Sequence, residues 1–183
     1  VTSTSLNLKN VNVYLIGMMG AGKSTTGQLL AQKLGYQLFD SDTLITQLAD
    51  TSINQIFAEQ GEDAFRKLET QVLSELSAYT RLVVATGGGI VTQPSNWSHL
   101  QQGLVVWLDV PLEHLWKRIQ VDASRPLLQT ERPYETLEQL MQQRRHLYAQ
   151  ADVHTVIKPD WSTEQVADQI IEGISKVIKV EDT

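Results

Sequence analysis

Short apolar runs with strand chemistry alternate with longer segments of helical period along the chain. Val11–Ile16 (VNVYLI) is a β-rich run that stops at Gly17. Ser24–Leu34 carries Leu29, Leu30 and Leu34 at helical spacing and ends at Gly35; Gln37–Phe39 follows as a second short strand. Ser52 with Gln55 three residues on is a capping-box signature, which predicts a helix running to Gln60 and broken by Gly61. Asp63–Tyr79 sets Phe65, Leu68, Val72, Leu73 and Leu76 on one face of an amphipathic helix. Leu82–Thr86 (LVVAT) and Leu104–Asp109 (LVVWLD) read as buried strands, the first cut off by three glycines. After Pro111 a helix carries Leu112, Leu115, Trp116 and Ile119. Val121–Pro133 holds two prolines and no period, and reads as a mobile loop. Tyr134–Gln150 is helical, Val153–Ile157 is a last strand, and Ser162 with Gln165 caps a final helix.

This alternation predicts an α/β fold of three layers: a parallel sheet of about five strands with helices on both faces. The strands are near-continuous apolar runs, as sheets covered on both sides require. In such folds ligands bind at the carboxyl ends of the strands. No linker separates two cores, so residues 1–183 are expected to form one domain.

Composition narrows the function. The chain is 42% hydrophobic and 20% charged, enough to bury a full core. It has no cysteine, which excludes a disulfide framework, a cysteine–zinc site and a thiol nucleophile. A net charge of −6 with no basic block argues against nucleic acid and membrane surfaces as partners. The start VTSTSLNLKN lacks the charged-then-apolar form of a signal peptide. The expectation is a cytoplasmic monomer, with the plastid stroma as the alternative if a transit peptide has been removed.

The chemistry begins at Gly17–Thr25 (GMMGAGKST), where Gly17, Gly22, Lys23 and Ser24 satisfy G-x-x-x-x-G-K-[ST]. Glycines let backbone N–H groups turn inward around a phosphate, and the helix behind adds its positive end. Lys23 is a point charge for the β- and γ-phosphates, and the Ser24 hydroxyl a ligand for Mg²⁺. The chain therefore binds a nucleoside triphosphate. A GTP switch would need an N-K-x-D motif, which is absent, and the short length with arginines scattered over the second half suggests a small kinase.

Asp40 and Asp42 close the second strand in the string FDSD. Residues two apart in an extended chain point the same way, so both carboxylates can face one cleft, one for Mg²⁺ and one for an acceptor hydroxyl. The plainer alternative makes Asp42 the N-cap of a helix starting at Thr43. Arg66 and Glu69 can pair on one helical face. Gly87, Gly88 and Gly89 cost backbone entropy, and close approach of a ligand to the main chain is the expected return. The four histidines have no metal-ligand spacing and read as structural or solvated. The four tryptophans read as packing.

Together these pieces resemble shikimate kinase. The strings GMMGAGKST, FDSD, FRKLE, TGGG, SRPLL and LMQQRRHLY stand in that family's order and spacing, from Val11 to Ile178. The resemblance implies a nucleoside-monophosphate-kinase-like fold with a substrate-binding insertion over residues 43–70 and a lid over 120–133. It implies ATP-dependent phosphorylation of the 3-hydroxyl of shikimate, with Mg²⁺, in aromatic amino-acid biosynthesis. Gly20, Ala21, Gly22, Lys23, Ser24 and Thr25 would wrap the nucleotide phosphates, and Ser24 and Asp40 would hold the metal. Asp42 would be base and hydroxyl contact. Arg66 and Arg144 would hold the substrate carboxylate, and Gly87–Gly89 would approach its ring. Arg125 in the lid would reach the phosphates, and Arg118 would stack on adenine. The register L-M-x-x-R leaves Arg145 as a surface residue. Lys158–Ser162 departs from the family's adenine-side segment and receives no contact. The rivals are a kinase of another small polyol acid such as gluconate, a nucleoside monophosphate kinase, and a relative that has lost catalysis.

Overall fold

The computed structural model describes residues 8–122 and 124–181, with side chains described to residue 178. The first seven residues, Ala123 of the expected lid and residues 182–183 lie outside the described residues. Strand β1 (Val13–Ile16) is buried at every position, as its apolar run requires. Helix α1 (Lys23–Leu34) ends where Gly35 takes a left-handed conformation and returns its N–H to Ala31 and Gln32. Next come β2 (Gln37–Asp40), α2 (Ser41–Ala49) and α3 (Ile53–Gln60), the last started by the expected Ser52–Gln55 capping box. Helix α4 (Glu62–Ser77) turns Phe65, Val72, Leu73 and Leu76 into the core.

The second half contributes β3 (Leu82–Ala85), α5 (Pro94–Leu100), β4 (Leu104–Asp109) and α6 (Leu112–Ile119). It closes with α7 (Pro133–Tyr148), β5 (Val153–Val156) and α8 (Thr163–Glu181). The five strands lie in the order β2-β3-β1-β4-β5, and every pairing is parallel. β1 is central, with Val13 opposite Val83 on one side and Leu104 on the other.

Three elements depart from the sequence reading. Helix α2 starts at Ser41, so Asp42 sits inside its first turn. Helix α5 has no apolar period of its own; Asn96 and Trp97 donate to the carbonyls of Ile90 and Val91 at 2.8 and 3.1 Å, which ties it down from outside. Pro133 belongs to α7 as its first residue, where a missing N–H costs nothing. The loop before it contains a 3₁₀ turn at Pro126–Leu128.

The lower end of the sheet is clasped by Asn12. Its amide donates to the Tyr79 carbonyl and its oxygen accepts from the Leu82 N–H, both at 2.9 Å. The upper, carboxyl end carries the glycine turns and the charged groups. Among the described residues no helix is long and apolar enough to cross a membrane.

Candidate active site

The turn after β1 reaches α1 through Gly22, which caps the helix at φ 85°, a conformation that disfavours any side chain. Lys23 is buried against this turn and donates to the carbonyls of Gly17 and Met18, both at 2.8 Å. Burial pushes the Lys23 ammonium down to about 8, with Asp42 opposing the shift. A bound triphosphate favours the charged form. ATP binding should therefore take up close to one proton at about pH 9, and affinity should fall as pH rises above about 8. Calorimetry in buffers of different ionisation enthalpy reads this uptake, and Lys23→Met should abolish it.

Asp40 and Asp42 part company at the β2–α2 junction. Asp40 is the helix cap: its Oδ1 accepts from the N–H groups of Asp42 and Thr43 at 3.0 and 3.1 Å. Its Oδ2 accepts from the Ser24 hydroxyl. Capping by Asp42 is thereby corrected, because Asp42 lies beyond the cap and its Oδ1 is buried without a hydrogen-bond partner. The two carboxylates share a cleft because a helix start turns Asp42 over it, not because both lie on an extended strand. Burial first, and Asp40 second, raise the Asp42 carboxyl above its ordinary value.

Arg66 is buried on α4, donating to Glu69 and to Glu62 at 2.8 Å each. Glu69 is fully buried, and burial raises its carboxyl too. The glycine row after β3 makes room for these groups. A Cβ on Gly89 would stand 2.2 Å from Arg66 Nη1, and one on Gly87 would stand 2.4 Å from Glu69 Oε1 and 3.1 Å from Asp42 Oδ1. Part of the glycines' return is thus space for the protein's own charged side chains, which the sequence reading had assigned wholly to a ligand.

On α7, Arg144 is buried with its Nη1 unpartnered, while Arg145 is half exposed and pairs with Asp109. Arg118 donates to the Gly20 carbonyl at 3.0 Å, and Arg125 lies 3.6 Å from Asp122. One cavity of about 690 Å³ is lined by the phosphate loop, Asp40, Asp42, the glycine row, Arg118, Arg125 and Arg144. Arg66 stands behind the glycines.

A family model described as shikimate kinase matches residues 19–175. The chain belongs to the shikimate kinase family. A shikimate kinase of Synechococcus elongatus is 52% identical over 94% of this chain and 90% of its own length. One from Synechococcus sp. strain JA-3-3Ab is 56% identical over 91% of this chain and 89% of its own. The structure of a shikimate kinase from Acinetobacter baumannii in complex with shikimate superposes with a TM-score of 0.88 at 40% identity, covering 92% and 95% of the two chains. A gluconokinase from Sinorhizobium meliloti, at 14% identity and a TM-score of 0.61, shares the fold alone.

Within this shikimate kinase fold three features in or behind the cavity are not assigned from the sequence. Glu69 reads locally as a helical salt-bridge partner, and only the fold carries its Oε1 under Gly87. Tyr148, whose hydroxyl burial pushes up to about 12, donates to the Gly88 carbonyl at 2.6 Å. Trp161 lines the cavity rather than merely packing, with the Lys158 ammonium 5.4 Å over its ring. The reading of the histidines as structural or solvated agrees with the structure: His99 bonds Ser77, His154 bonds Asp109 and His146 is exposed. Among the described residues no three carboxylates or histidines cluster to cage a metal. Mg²⁺ needs no such cage, being held by one or two protein oxygens with substrate phosphates and water. The Ser24 hydroxyl and Asp40 carboxylate, in contact beside the phosphate loop, fit that donor set.

Proposed function

We propose that the cavity seats ATP and shikimate side by side, with the roles of its residues set by which polar atoms lack a protein partner. The reaction of the family is transfer of the ATP γ-phosphoryl group to the 3-hydroxyl of shikimate, and it is this chain's activity. One observation carries the assignment of roles. Among the described residues, Asp42 Oδ1, Glu69 Oε1, Arg125 Nε and Arg144 Nη1 are buried without hydrogen-bond partners, and all four residues line this one cavity. Buried polar groups are rarely left so, and a cluster of them facing one space marks groups that a ligand completes.

Asp42 orients the acceptor hydroxyl and accepts its proton. Lys23 and the N–H groups of Gly20–Thr25 hold the triphosphate, and Arg125 approaches its far end from the segment 120–133. Arg118 faces adenine. Ser24 and Asp40 would hold Mg²⁺, which neutralises phosphate charge when bound. Arg144 offers its free nitrogen to the substrate carboxylate. Arg66, with two of its five N–H groups committed to Glu69 and Glu62, offers the rest. The expected form remains a monomer in the cytoplasm.

Arg144→Ala should raise the shikimate KM about ten- to hundredfold, because it removes a charge-assisted bond to the carboxylate. The ATP KM should move little. Steady-state ADP release with shikimate, and with gluconate as control, reads both constants. Equal rises in the two KM values would remove Arg144 from the carboxylate site. The segment 120–133 should close over the cavity when both substrates bind, slowing its amide hydrogen exchange. Exchange unchanged by ATP and shikimate would count against a lid.

A further inference from the structure

Arg145 neighbours Arg144 but lies outside the cavity, with 52% of its side chain exposed. Its Nη1 donates to Asp109 Oδ1 at 3.3 Å and its Nη2 to Oδ2 at 3.0 Å. Exposed ion pairs contribute little as a rule. This one differs in two ways. The acceptor, at the end of β4, is only 9% exposed, so the carboxylate is desolvated and the fork engages both its oxygens. The guanidinium also sits 5.0 Å over the Trp107 ring, against which His154 stacks at 4.1 Å while its Nε2 bonds Asp109 at 2.8 Å. Three residues further along α7, Tyr148 donates to the Gly88 carbonyl. Helix α7 is therefore fastened at two points, one at the end of β4 and one at the glycine turn after β3. Arg144 lies beside the first.

We infer that Arg145 is a positioning residue for substrate binding: its fork on Asp109 fixes the rotation of α7 that aims Arg144 into the cavity. The inference rests on the reading of Arg144 as a carboxylate-binding group. Arg145 is the surface residue that the sequence register indicated, and it acts on the site only through Asp109. A charge-assisted contact is sensitive to misplacement on the order of 1 Å, which a small rotation of the helix produces at the tip of an arginine.

Steady-state kinetics and melting temperatures of the full chain test it. Arg145→Ala should raise the shikimate KM about three- to tenfold while the ATP KM and kcat stay within about twofold. Arg145→Lys, which keeps a charge on Asp109, should give an intermediate KM. Asp109→Asn should reproduce the KM split from the other side of the bond. In an Arg144→Ala background, Arg145→Ala should add no further rise, because the residue it positions is gone. A shikimate KM unmoved by Arg145→Ala while Arg144→Ala raises it overturns the positioning role alone. A rise that persists undiminished in the Arg144→Ala background also overturns it, showing a general loosening of the fold. If Arg144→Ala itself leaves the shikimate KM unchanged, the carboxylate reading fails and the inference falls with it.

Discussion

Asp42→Asn is expected to lower kcat about 10²–10⁴-fold while leaving ATP affinity nearly unchanged. The substitution keeps size and removes the charge and the proton acceptor. Phosphoryl transfer passes through a loose transition state in which little proton has left the nucleophile, so orientation carries much of the effect and the loss can sit at the lower end. The melting temperature should move the other way. Asp42 has a folded-state pKa above its ordinary 3.8, mainly through burial. A carboxyl raised in this way favours the folded state below the ordinary value and loses that contribution as pH rises through the folded pKa. Above the folded pKa the ionised Asp42 therefore destabilises the fold, and the neutral amide relieves it by about 2–4 °C for each ~1 kcal/mol. A helix cap would behave otherwise, since Asn caps about as well as Asp and both activity and melting would stay put. The cap here is Asp40. Wild-type kcat in Asp42→Asn would remove Asp42 from the reaction.

Gly89→Ala should be nearly as damaging to substrate binding as loss of Arg66 itself. The backbone is no obstacle, because Gly89 has φ −92° and ψ 3°, which alanine adopts. The obstacle is steric: the new methyl carbon would lie 2.2, 2.5 and 2.6 Å from Nη1, Cζ and Nη2 of Arg66. A guanidinium at the end of a free side chain would swing aside, but this one is held between Glu69 and Glu62. The expected result is a shikimate KM raised about ten- to hundredfold, with a lower melting temperature as the buried Glu69 loses its partner. Double-mutant kinetics and melting decide the cause. In an Arg66→Ala background the same methyl should cost nothing more. An undiminished penalty there would mean that the methyl strikes something other than Arg66.

Features whose physics is local were readable from the sequence. The phosphate loop, the capping boxes at Ser52 and Ser162 and the glycine stop at Gly35 each depend on a few consecutive residues, and each stands as expected. What could not be read depends on partners far along the chain. Helix α5 has no periodicity because its Asn96 and Trp97 are held by carbonyls outside it. The sequence offered only Asp42 as a cap for α2, and the start of the helix at Ser41 moves the cap to Asp40. Gly87 and Gly89 signal only that something comes close. That the visitors are Glu69, Asp42 and Arg66 follows from packing α2 and α4 beneath the turn. The adjacent arginines 144 and 145 are told apart in the sequence only by the register that the family resemblance supplies, and the structure buries the first and exposes half of the second.

The central place of β1 has a consequence for synthesis. The phosphate loop ends at Thr25, yet the strand that presents it pairs with β3 and β4, and both of these come much later in the chain. Neither neighbour is supplied by the segment that follows the loop directly. A nascent chain halted before Leu82 carries the whole phosphate-loop motif with no strand on either side of β1. Domains gain stability as units, so such a chain should hold no nucleotide. Nucleotide capture by ribosome-bound chains should begin only once Leu104–Asp109 has cleared the exit tunnel.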